Sequence, residues 1–225
     1  MRSSCSRPQL FADYLEGVLH HEVEGRRDRS ELTRTYRYLA ASTSRLLNVS
    51  NVANEMGSAR DTVAARVASL EASFLVHLLP GHRPTEHRTL TAHPKIHVTD
   101  IGLGAWAARL GPDAPTHVFG SLVESFVVNE LAAQASWSLE PVELRHWRDT
   151  TRKLEIDALA LASDGRSVAF EIKAGPDVRP DDLRGLRHYL ATVRGAERGV
   201  VYYTGSLTLQ VDERIWAVPI SSLWS

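Results

Sequence analysis

Three residues at strand-like spacing carry the clearest chemistry in this 225-residue chain: Asp157, Glu171 and Lys173. Leu154–Leu161 and Val168–Ala174 read as β-strands, and side chains alternate faces along a strand. Glu155 and Asp157 then share one face. Glu171 and Lys173 share a face of the next strand, whose other face is the apolar strip Val168, Phe170, Ile172 and Ala174. An upstream helix adds Glu124 at the edge of its apolar arc. Two or three converging carboxylates suit a hard divalent cation, Mg²⁺ or Mn²⁺, which takes oxygen ligands and keeps waters. Such an ion activates water against phosphorus and offsets charge on a scissile phosphate. The expected roles are Asp157 and Glu171 as metal ligands, Glu124 assisting, and Lys173 positioning the water. Lysine suits that role as a compact point charge. Of the 26 basic residues 23 are Arg, and the three lysines are Lys95, Lys153 and Lys173, so each lysine invites a specific explanation.

The same residues have a plainer reading, a structural ion-pair network in an inactive site. Geometry separates the two. A nuclease needs Asp157 and Glu171 within reach of one cation in an open cleft, whereas Lys173 capping both acids in a closed, buried network denies it. Glu130, nearer the middle of its helix's apolar arc, reads as a buried ion-pair partner, and Glu155 as a bystander. Arg184, Arg187, His188 and Arg194 share one side of a later helix, a phosphate-contact candidate or simply a solvated face. His82, His87, His93 and His97 lack the spacing of a zinc site and no cysteine joins them, which fits a polar loop better. No G-x-S-x-G sequence supports a serine hydrolase.

The elements that must position these groups fall into two halves. Leu10–Val23 reads as a helix, Glu22–Arg29 as a charged linker and Ser30–Ser44 as a second helix. Ser50–Glu55, a turn at Met56-Gly57-Ser58, and Ala59–Ala72 follow, the last with Val63, Val67 and Leu70 at i, i+4 and i+7. Phe74–Leu79 and Lys95–Thr99 are β-like. Helix, tight turn, helix and two-strand ribbon is the order of a winged helix-turn-helix. Thr62, Arg66 and Ser69 share an outward face of its longer helix, the candidate for a DNA groove, although one Arg is thin electrostatics. Asp100–Leu110 is a short helix, and Gly111–Pro115 marks a break. Beyond it come a helix over Leu122–Ser136, strands over Val142–Trp147, Leu154–Leu161 and Val168–Ala174, a helix over Pro180–Arg194, and strands over Gly199–Tyr203 and Ile215–Val218. The fold class is α+β or α/β: a helix and linker at 1–29, a winged helix-turn-helix at 30–112, and an α-β-β-β-α-β domain with a mixed sheet at 113–225.

Composition constrains the partners. The chain is 43% hydrophobic with a formal net charge of -1, so a polybasic nucleic-acid coat is excluded while a local basic face is not. One cysteine, Cys5, forms no internal disulfide and fits a cytoplasmic setting. No apolar run of membrane-spanning length and no signal peptide are present, so no membrane partner is expected.

Asp157, Glu171-Ile172-Lys173 and Glu124 together resemble the PD-(D/E)xK, restriction-endonuclease-like nuclease core. Over its whole length from about Leu10 the chain resembles DUF4143, the C-terminal region of a large group of prokaryotic AAA-type ATPases. The matching stretches are Tyr14-Leu15, Leu46-Leu47-Asn48-Val49, Thr62-Val63 through Leu70-Glu71, Phe74-Leu75-Val76, Asp100-Ile101-Gly102-Leu103, and Gly120 through Leu131. Trp147-Arg148, Glu155-Ile156-Asp157 and Glu171-Ile172-Lys173 complete them. The resemblance implies a winged-helix-like segment joined to a nuclease-like domain, and the expected partner is nucleic acid, with DNA the first candidate. The first helix departs at His20-His21-Glu22-Val23, where the family commonly has Arg-Asp. No G-x-x-x-x-G-K-[ST] sequence and no Gly-Lys pair occur, so ATP binding does not carry over. Two expectations follow. One is a nucleic-acid-binding protein with a Mg²⁺-dependent phosphodiester-cleaving site. The other is a non-catalytic regulatory or DNA-binding module, truncated or split from an ATPase that then acts as a partner on a separate chain.

Overall fold

A computed structural model describes residues 7–22, 26–82, 93–111 and 113–224. The fold is mixed α+β and divides into two units. The first comprises Met1–Leu78 and Ile96–Pro115, the second Leu79–Lys95 and Thr116–Ser225.

The first unit holds α1 (Arg7–Glu22), α2 (Arg26–Ala41), α3 (Val49–Met56), α4 (Arg60–Ala72) and α5 (Ile101–Ala107). A two-stranded ribbon of β1 (Val76–Leu79) and β2 (Lys95–Val98) carries the chain out of this unit and back. Leu15 and Leu19 of α1 lie buried in the same core as Leu32, Tyr36, Val63, Val67, Leu70 and Leu103. The first helix therefore belongs to this unit, although the sequence reading set 1–29 apart. Arg26–Arg29, read as linker, is already helical. Asn48 caps α3, its side chain accepting from the Asn51 N–H at 3.1 Å. Gly57 closes that helix at φ 61°, a left-handed turn favouring glycine. Val63, Val67 and Leu70 are the buried face of α4, as their spacing requires.

The second unit is built on a six-stranded sheet. Its strands are β3 (Val142–Asp149), β4 (Leu154–Ala162), β5 (Ser167–Lys173), β6 (Ala196–Tyr203), β7 (Leu209–Asp212) and β8 (Ile215–Pro219), in the order β3-β4-β5-β6-β8-β7. β3, β4 and β5 are antiparallel neighbours, β5, β6 and β8 run parallel, and β7 lies antiparallel to β8. The helix α6 (Thr116–Ser136) buries Val127, Val128 and Leu131 against Ala158, Phe170 and Ile172. The helix α7 (Arg184–Thr192) buries Leu186, Tyr189 and Leu190 against Ile156, Leu159 and Ala169. Alternation along β5 thus gives α6 and α7 opposite faces of the sheet. The expected helix over Pro180–Arg194 is two pieces, a 3-10 turn at Pro180–Leu183 and then α7.

Candidate functional site: a buried acid cluster with its own cations

Asp157 stands where two strands part. Opposite β3, Arg145 pairs with Leu159 and Trp147 with Ile156, so Asp157 and Ala158 together face His146, a β-bulge. Bulges re-aim side chains beside sites. The ladder to β5 stops at Ala158–Phe170. Beyond it the Asp157 carboxylate replaces the missing backbone acceptor: Oδ2 takes the Ile172 N–H at 3.0 Å. One carboxylate oxygen is therefore spent on holding β5, and the other turns to a cation.

That cation is Lys95, at the start of β2. Its ammonium donates to Asp157 Oδ1 at 2.9 Å and to Glu124 Oε1, on α6, at 2.8 Å. Lys173 donates to Glu171 Oε1 at 2.8 Å and lies 3.7 Å from Asp182 Oδ1. The centre of the cluster is buried, with relative exposures of 4% for Lys95, 6% for Asp157 and 8% for Glu171, while the side chains of Glu124 and Lys173 keep 15% and 31%. The predicted acids do converge, but each is held by a lysine, and the hub lysine is one that sequence reasoning did not place in the site. The signal was present in the scarcity of lysines. His146, also unforeseen, is buried opposite the bulge and bonds the His93 carbonyl through Nε2 at 2.9 Å.

Electrostatics follow the packing. Burial, then the negative charge of Asp157, pushes Glu124 and Glu171 each up to about 8, against the pull of their lysines. Burial would raise Asp157 too, but the Lys95 charge and the Ile172 N–H outweigh it and hold that carboxyl below its usual value. Burial would lower Lys95 and Lys173, and their carboxylate partners instead hold both above the ordinary lysine value. Three carboxyls face two ammoniums, and this imbalance is why the glutamates are pushed up while Asp157 is held down.

Among the described residues no group of three or more His, Cys, Asp or Glu side chains is arranged to hold a metal ion. With the ammonium of Lys95 between Glu124 and Asp157, the residues as they stand do not fit the expected Mg²⁺ or Mn²⁺.

The other candidate residues separate. On α4 Thr62 is exposed, but Arg66 is tied to Glu31 at 3.2 Å and to Ser58 Oγ at 3.4 Å, so its guanidinium serves the unit's own structure. Ser69 is half-buried and its carbonyl accepts from Ser73 Oγ. Arg184 is exposed, whereas Arg187 pairs with Asp212 at 2.7 Å and His188 approaches Asp149 at 3.6 Å. Glu130 accepts from the Trp224 indole at 3.0 Å and not from an arginine. His82 and Arg145 line a cavity of about 1190 Å³ with Trp147, His188 and Arg194, which includes none of the acid cluster. His87 lies outside the described residues.

Fold and site define the second unit as a mixed-sheet α+β domain with an ion-paired acid cluster. Residues 119–223 match the model of DUF4143, a domain of unknown function, and this region of the chain belongs to that family. Residues 6–114 match a different model, DUF8612, also a domain of unknown function, so the family resemblance read from Leu10 onward is confined to the second half. No curated protein and no solved structure matches the chain. No described helix is long and apolar enough to cross a membrane.

Proposed function

We propose that the chain is a non-catalytic nucleic-acid-binding module. In this reading its DUF4143 region keeps a PD-(D/E)xK-like frame without a working metal site. The observation that carries it is the Lys95 ammonium, buried between Glu124 and Asp157 where a nuclease would need a divalent ion and an open path for a phosphate. Binding is assigned to the first unit, whose succession of α3, the Gly57 turn, α4 and a two-stranded ribbon has the order of a winged helix-turn-helix. Thr62 is the exposed member of the α4 face. An ATPase partner on a separate chain rests on the family resemblance alone.

A mobility-shift assay on duplex DNA, run beside a cleavage assay with Mg²⁺ or Mn²⁺, tests this. The expected result is a salt-sensitive shift that Thr62→Glu weakens by placing negative charge against phosphate, and no cleavage. Mg²⁺-dependent cleavage abolished by Asp157→Ala would overturn it. Arg66→Ala is a poor probe of DNA contact because it also breaks the Glu31 pair.

The second reading is a metal-dependent nuclease with Asp157 and Glu171 as ligands, Glu124 assisting and Lys173 positioning water. It is favoured by the α6-β3-β4-β5-α7-β6 order, with β5 and β6 parallel, and by the convergence of three carboxyls. It requires Lys95 to leave.

A further inference from the structure

We propose that Lys95 is the resident cation of the acid cluster: its tethered ammonium occupies the place of a divalent ion, excludes Mg²⁺ and Mn²⁺, and its removal opens a divalent-cation site. The proposal rests on the reading of the second unit as a nuclease-like frame and names what became of its metal position.

Four of the six carboxyl oxygens of the cluster are already assigned. Asp157 Oδ1 and Glu124 Oε1 both accept from Lys95, Asp157 Oδ2 accepts from the Ile172 N–H, and Glu171 Oε1 accepts from Lys173. A Mg²⁺ ion binds at about 2.0–2.1 Å in near-octahedral geometry and keeps several waters. The Lys95 ammonium fills the space between Asp157 Oδ1 and Glu124 Oε1, and the burial of Lys95, Asp157 and Glu171, at 4%, 6% and 8% exposure, leaves little room for that water shell. A divalent ion beside a retained ammonium would also meet strong like-charge repulsion in a medium of low dielectric. Competition favours the lysine, because β2 delivers it as part of the chain and no free ion has to be captured. Lysine is the residue for this task. Its ammonium is a compact charge with three donors that can sit between two carboxylates, whereas arginine's planar fork needs a wider, flat partner. In a chain with 23 Arg and three Lys, Lys95 and Lys173 both stand at this cluster. Without Lys95, three carboxyls face Lys173 alone, and that excess of negative oxygen is what a divalent cation takes up.

Two measurements on the full chain test this. The first needs no substitution, since three lysines make an acylation footprint by mass spectrometry complete. Lys153, in an exposed turn, is the internal reference. Lys95 is expected to react about 100-fold more slowly, because its modification awaits local opening, and millimolar Mg²⁺ or Mn²⁺ is expected to leave its rate unchanged. Acceleration of Lys95 labelling by the metal, with Lys153 constant, would overturn the proposal. The second is Mn²⁺ titration followed by electron paramagnetic resonance on wild type and Lys95→Met. One bound ion in the variant and none in wild type supports the proposal. A variant folded by circular dichroism that binds none, or a wild type that binds as tightly as the variant, defeats it. If the variant does not fold, the footprint on wild type decides. Metal-dependent DNA cleavage with Lys95 labelling unchanged would remove the non-catalytic reading and leave the Lys95 assignment standing.

Discussion

Glu124 and Glu171 show how a buried charge imbalance becomes a pH dependence. Each is raised to about 8 from an ordinary 4.5, so the protonated carboxyl is favoured by the folded state. The stability this contributes is fully present below about pH 4.5 and is lost as pH rises through about 8. Asp157 has the opposite sign: held low, it contributes stability that is lost only in acid, as pH falls through its depressed value. The melting temperature is therefore expected to fall from about pH 5 toward pH 8. Glu124→Gln, which keeps an acceptor for Lys95 but cannot ionise, should flatten the fall. A difference of about 1–2 kcal/mol between the two curves corresponds to roughly 2–8 °C in Tm for a chain of this size. Parallel curves for the variant and wild type in calorimetry would show that Glu124 does not titrate across this range. Lys95→Met belongs to the same scale. Breaking a buried pair costs about 3–5 kcal/mol; the loss should be smaller at pH 5, where Glu124 holds a proton, than at pH 8, and urea denaturation at the two values measures it.

Among the elements, legibility tracked periodicity. The buried stripe of α4 follows from spacing because one apolar face packs on a core, and β4 and β5 are legible as short apolar runs because α7 covers one of their faces and α6 the other. The strand β7 went unread: Leu209–Asp212 is an exposed edge strand, and with no buried face it leaves no alternation in the sequence. The bulge at Asp157-Ala158 was equally invisible, since it is fixed by pairing with β3 and not by local residue types. It matters to the site, because it sets Asp157 at the point where β4 and β5 part. Lysine scarcity marked Lys95 as unusual, but only the tertiary packing of the second unit brings it to Glu124 and Asp157. A further close approach holds this frame. A Cβ on Gly185, in the first turn of α7, would lie 2.4 Å from the Glu155 carbonyl oxygen, a backbone atom that cannot swing aside. Gly185→Ala is expected to push α7 from β4 and destabilise by about 1–3 kcal/mol, as overpacking does. Equilibrium urea unfolding checks it, and an unchanged midpoint would mean that the helix shifts without loss.

For the molecule as a whole, the chain's order and its structural division do not coincide. A cut suggested by the family match, just before residue 119, leaves part of the second unit behind. The segment 79–95 supplies that unit with Leu79, fully buried beside Val127 and Phe170. It also supplies two backbone bonds along the outer edge of β3, His146 N–H to the Pro80 carbonyl at 2.8 Å and His82 N–H to the His146 carbonyl at 2.6 Å. Lys95 is its third contribution, and the one that neutralises the acid cluster. A fragment of residues 116–225 therefore exposes a core face, leaves an edge strand unpaired and strands Glu124 and Asp157 without their cation. Losing a buried leucine costs about 2–5 kcal/mol, each backbone bond about 1 kcal/mol, and an unpaired buried charge several more, a large share of any domain's stability. The fragment 116–225 is expected to unfold at clearly lower urea than a fragment of residues 79–225, with Trp147 and Trp216 reporting through fluorescence. Equal midpoints would mean that residues 79–95 contribute nothing to the second unit, and would remove Lys95 from its site.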